Sequence, residues 1–147
     1  MLTQPPQVTT VRRPFNWGIV IIAADDWAGD LPEVARDALV AANESAVIIG
    51  VRHAQDSGEF DGEFLKLAEA EVVVRRLDGS ASSGESRREL FRTVITVPTG
   101  RVTVGDADEQ VVVSAHRGAN AVLVSVDAQV PIDDMSPDAV QVDLLPG

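Results

Sequence analysis

The stretch VPTGRVTVGDADEQ, Val97 to Gln110, gathers Asp106, Asp108 and Glu109 within four residues. Carboxylates at alternate positions suit a calcium loop, but such a loop needs six or more oxygens and a distant Glu. Here Asp106-x-Asp108 runs straight into another alternating apolar segment. Asp beside Gly is also what a tight turn between strands requires. The turn reading is preferred, and no metal is expected. Asp25 and Asp26, like Asp133 and Asp134, are adjacent carboxylates of the kind acid–base chemistry uses. Neighbours in a strand point to opposite faces, so neither pair converges. His53 and His116 are the only histidines. Ser114 would share a face with His116 in a continuing strand, but nothing in the spacing supplies an orienting acid. Cysteine is absent, which removes thiolate nucleophiles, disulfides and thiolate metal sites. No glycine-rich phosphate loop and no basic-aromatic nucleic-acid platform occurs. The residues therefore predict no catalytic site, no cofactor and no enzyme.

Charge is the stronger signal. The 147 residues carry a net charge of −11, and Lys66 is the only Lys. Such a surface repels nucleic acid and anionic membranes and attracts basic partners. The imbalance is uneven: residues 101–147 hold 8 acids against 2 bases. If a charged partner exists, Asp106, Asp108, Glu109, Asp133, Asp134 and Asp138 form its expected binding face. Trp27, between acids, is either a core residue or an interface anchor added to that face. Trp17 is expected in the core at a strand start. The alternative for all the acids is plain solubility.

These residues must be positioned by strands. Short β-branched segments recur between turn signals: WGIVIIAA, SAVIIGVRHA, AEVVVRRL, LFRTVITV, RVTV, QVVVSAH, NAVLVSVDAQV and AVQVDLL. Their spacing predicts a mainly antiparallel β-sandwich or barrel, since no regular helical crossovers alternate with them. One short helix is expected over residues 31–39: Asp30 would cap it, Glu33 sits at the capping-box position, and Leu31, Val34, Ala35, Ala38 and Leu39 share a face. Residues 61–70 suit either helix or strand, and a strand running into EVVVRRL is preferred. Residues 78–88 read as a surface loop. Residues 1–14 are expected to be an extended arm lacking the order of a signal peptide, and residues 15–147 a single domain. No apolar run approaches the length of a membrane helix, and a cysteine-free chain suits the expected cytoplasmic location.

From about residue 38 onward, the order of these segments is similar to a group of small bacterial β-sandwich proteins related to competence protein J. The positions that carry the resemblance are Gly50-Val51-Arg52-His53, Pro98 and Gly100, Val102 and Val104, Gly118, and the Leu145-Pro146 ending. Where that group commonly has a Trp before the Pro-x-Gly turn, this chain has Phe91 nearby. The group's namesake inhibits a DNA-entry nuclease. The resemblance therefore implies a protein-binding inhibitor or immunity-type protein, and a nuclease with a basic cleft would suit an acidic body. Two rivals stand beside it: a scaffold that self-associates through an exposed sheet edge, and a carrier holding a small ligand inside a barrel.

Overall fold

The computed structural model describes residues 7–27, 31–32, 38–79, 86–106 and 109–147. Within them run β1 (Gln7–Arg13), β2 (Ile19–Ala24), β3 (Val40–Ala42), β4 (Ala46–Gly50), β5 (Phe60–Asp61), β6 (Phe64–Leu65), β7 (Ala70–Arg76), β8 (Arg87–Val97), β9 (Arg101–Gly105), β10 (Gln110–Ser114), β11 (Gly118–Asp127) and β12 (Ala139–Pro146). Two five-stranded sheets result, ordered β1-β7-β12-β11-β8 and β10-β9-β2-β4-β3, with β5-β6 as a separate hairpin. All pairings are antiparallel except β12 with β7.

Strand alternation explains the layering. In β7 the residues Ala70, Val72 and Val74 are buried while Glu71, Val73 and Arg75 between them are half-exposed. Val122, Val124, Val140 and Val142 extend that face along the same sheet, and Val20, Ile22, Ala24, Val47, Ile49, Val102 and Val104 of the second sheet join them in one core. Each buried Val or Ile among them contributes roughly 1.5–3 kcal/mol on leaving water. The core between the sheets is thus packed with branched aliphatics, and the fold is β-sandwich-like. Gln7–Arg13, read from the sequence as an arm, is an edge strand paired along its length with β7.

Three expectations change. Among the described residues there is no helix. Most of the helix expected over 31–39 falls on residues 33–37, outside the described residues, and Leu31, Pro32, Ala38 and Leu39 around them are not helical. Residues 61–70 are not a long strand. Asp61 and Gly62 start a tight reversal, with Gly62 at φ 65°, so Phe60 pairs with Leu65 and Asp61 with Phe64. A glycine at the first central position is what such a two-residue hairpin loop demands. Trp17 is not in the core: it is 64% exposed. It lies in the turn that Gly18 N closes on Phe15 O at 3.1 Å, and Phe15 takes the buried position.

An acidic loop end as candidate functional site

The registers define two ends of the sandwich. Arg13 at the close of β1 lies opposite Ala70, and Glu71 lies opposite Ala139. Ile19 lies opposite Gly50, and Gly105 joins Gln110. At this end the chain makes its long connections, 51–69 and 128–138, and the β9–β10 turn. The other end carries Asp25, the Pro98–Gly100 turn and the β10–β11 connection.

The two long connections are held against each other by backbone bonds. Arg52 N donates to Pro137 O at 2.9 Å, and Glu71 N to Asp138 O at 2.8 Å. Arg88 clamps the second from the edge of the sheet, its Nη1 donating to Val130 O at 2.7 Å. Asp134 shapes the loop itself, since its Oδ1 accepts from Ser136 N at 2.9 Å. With the backbone so occupied, Asp133 and Asp138 are exposed and Asp134 half-exposed. Residues 51–71 and 131–138 together contain nine acids and two bases. That net of −7 on 29 residues is most of the chain's −11. A recess of about 330 Å³ opens between the loops, lined by Arg12, Arg52, Lys66, Glu69, Glu71 and Asp138 among others. Large apolar side chains share this end: Phe60, Phe64, Leu67, Ile132 and Met135 are all exposed. The other end, among the described residues, holds Asp25, Asp26, Glu44 and Asp78 against Arg101 and Arg117.

The residues expected to form a partner face are therefore divided. Glu109, Asp133, Asp134 and Asp138 lie at the acidic loop end. Asp108 is outside the described residues. Asp106 does not face solvent: it is 0% exposed, and Arg13 Nη2 donates to its Oδ1 at 2.5 Å. Gly105 permits this inward turn, since a Cβ there would sit 2.1 Å from Glu109 O. Asp106 Oδ1 also accepts from Glu109 N at 3.2 Å. The Asp therefore closes the β9–β10 turn and ties it to β1 of the other sheet. Trp27 lies at the far end, half-buried against the core, its N bonded to Ala24 O at 2.9 Å.

The groups weighed for catalysis do not assemble. Asp25 accepts from Thr99 Oγ1, and from Arg101 Nε at 3.0 Å. The Thr99 hydroxyl first and the Arg101 guanidinium second hold its carboxyl below the ordinary 3.8, while Asp26 is exposed. β10 ends at Ser114, and His116 Nε2 meets Leu77 O at 2.7 Å. His53 Nδ1 accepts from Gln55 N at 3.1 Å. On the outer face of the first sheet, Arg75 grips buried Asp143 through Nε and Nη2 at 2.7 and 2.8 Å. Those bonds raise its pKa, partly against burial. Arg87, by contrast, is lowered by burial despite nearby Asp127 and Asp143, and donates to Ser125 Oγ at 2.9 Å. These bonds tie neighbouring strands and turns to one another.

Sequence reasoning missed the apolar members of the loop end. The signal was present: Gly62-Glu63, a Gly-x pair between two short apolar segments, is a hairpin signature. It would have placed Phe60 and Phe64 on a projecting element.

No family model and no curated protein matches the chain. Solved structures do. ComJ of Bacillus subtilis, described as an inhibitor of the DNA degrading activity of NucA, matches with a TM-score of 0.59 and 11% identity over 99% of this chain and 98% of ComJ. The crocagin biosynthetic gene J product matches with a TM-score of 0.53 and 13% identity over 97% of this chain and 99% of that one. With whole chains superposed and so few identical residues, what is shared is architecture: this chain has the ComJ-like fold.

Proposed function

We propose that the chain is a protein-binding module of inhibitor type, acting in the cytoplasm without catalysis of its own, against a basic enzyme such as a nuclease. The observation that carries this reading is the concentration of eight acids and two bases in the two loops, 51–69 and 128–138, at one end of the sandwich. A DNA-degrading enzyme needs a cationic cleft for phosphates. An acidic surface is steered toward such a cleft and can fill it. ComJ, of the same fold, is described as inhibiting a nuclease, which supports the choice of partner class. Exposed Asp133 and Asp138 and half-exposed Asp134, with Glu109 at the margin, are the charges offered to the partner.

The test is DNA hydrolysis by a purified basic nuclease from the same host, titrated with this protein. Saturable inhibition is expected, with an association rate that falls steeply as salt rises past the point where the Debye length is about 10 Å. Unchanged hydrolysis at large excess would remove the inhibitor reading.

A further inference from the structure

The β5–β6 hairpin is chemically unlike the rest of the surface. The chain has only four Phe and two Trp. Phe15 is fully buried, Phe91 and Trp27 pack against the core, and Trp17 is 64% exposed in its turn; Phe60 at 70% and Phe64 at 79% exposed put two aromatics on one hairpin. The hairpin pairs with neither five-stranded sheet. Its base is fixed by Lys66 N donating to Glu59 O at 2.8 Å and Ala68 N to Ala54 O at 2.7 Å. Beyond that base Phe60, Asp61 and Phe64 are exposed and Leu65 is half-buried.

Registration of the pairs determines its faces. Directly opposed residues share a face, and successive residues alternate. Phe60 and Leu65 therefore occupy one face, Phe64 and Asp61 the other. A hairpin made to lie on a flat partner would carry its apolar residues on one side. This one presents a phenyl ring on each side, so both are covered only where walls stand on both sides. Glu59, Asp61 and Glu63 line the same eight-residue projection, 59–66, against a single Lys66.

We propose that this hairpin inserts into a cationic cleft of a protein partner, with Phe60 and Phe64 each seated against one wall and Glu59, Asp61 and Glu63 facing its basic side chains. The inference rests on the protein-binding reading above. It adds the inserting element and the two-walled shape of the receiving site. A few anchors seated in pockets carry most of the energy of an interface, and complementary charge around them steers the encounter.

The experiment places a photo-crosslinking phenylalanine analogue at position 60, 64 or 94 of the full chain in host cells. The captured protein is then purified, and its affinity is measured for the wild type and for Phe60→Ser, Phe64→Ser and Val94→Ser. Val94 is 55% exposed on β8 and serves as the control. Capture of one basic protein from both 60 and 64 is expected. Each Phe variant should bind at least about tenfold more weakly, with Val94→Ser unchanged. Loss from only one Phe variant would overturn the two-walled cleft. Capture of an acidic protein or a second copy would overturn the charge argument. Capture from position 94 alone would retain a protein partner and remove the hairpin. No capture from any position would remove both.

Discussion

Arg13→Met tests the structural role assigned to Asp106. The substitution keeps an aliphatic stem of similar length and removes the guanidinium. Asp106 has no solvent-exposed side-chain surface, and Arg13 is only 16% exposed. The loss includes the 2.5 Å bond to Asp106, the 2.9 Å bond from Nη2 to Glu109 O and the stacking of the guanidinium 4.6 Å from the Phe15 ring centre. Breaking a buried ion pair from one side costs roughly 3–5 kcal/mol, because the remaining charge stays in a dry site. Asp106 keeps the Glu109 N–H, so the lower end, about 3 kcal/mol, is expected. For a chain of this size that lowers Tm by about 6–12 °C. Asp106→Asn should cost less, about 1 kcal/mol. Its amide oxygen can still accept from Glu109 N, and the Arg13 head has a path to water. The double variant Arg13→Met/Asp106→Asn should therefore be more stable than Arg13→Met alone. Chemical denaturation of the four proteins measures all three values. An Arg13→Met cost under about 1 kcal/mol, or a double variant less stable than the single, would refute a buried, charge-compensated Asp106.

Further outcomes follow from the same contacts. Gly105→Ala should destabilise the fold strongly by thermal melting, because the new Cβ meets backbone at 2.1 Å. Asp25 has a lowered folded-state pKa, so the stability it adds is present above its unfolded value and is lost as pH falls through the folded one. Asp25→Asn should therefore flatten the acid side of a stability–pH curve below about pH 4 and leave the neutral-to-alkaline side parallel to wild type. Phe60→Ser/Phe64→Ser should leave Tm within about 2 °C, since neither ring is buried; a larger drop would show that the hairpin packs against the body.

The strands were legible because β-branched residues alternate and turn residues separate them. IVIIAA, AVIIG, AEVVVRR and AVQVDLLP all form strands where the pattern puts them. Pro98–Gly100 makes its turn, closed by Gly100 N on Val97 O at 3.2 Å. What local pattern lacks is long-range pairing. The β1–β7 ladder and the parallel β12–β7 ladder join residues more than fifty positions apart, and no periodicity encodes them. The same limit hid the fate of Asp106, whose partner is 93 residues away. Read locally, Asp106 and Glu109 look equivalent; in the fold one is buried against Arg13 and the other is exposed. Trp17 leaves the core for a local reason: the turn closed by Gly18 N on Phe15 O interrupts the alternation before β2, so Phe15 is buried and Trp17 exposed. The acid pairs of the 131–138 loop were visible as charge. Their proximity to the 51–71 connection came only from the backbone bonds at Arg52 and Glu71.

In the proposed function it is the acidic loop end, and not acidity in general, that engages a basic enzyme. The direct measurement is inhibition of the partner nuclease by two triple charge reversals: Asp133→Lys/Asp134→Lys/Asp138→Lys at the loop end, and Asp26→Lys/Glu44→Lys/Asp78→Lys at the other. Both change net charge equally. The loop-end variant should lose at least about tenfold in inhibition, with the far-end variant within about threefold of wild type. Equal loss from both, or full inhibition by the loop-end variant, would contradict the claim.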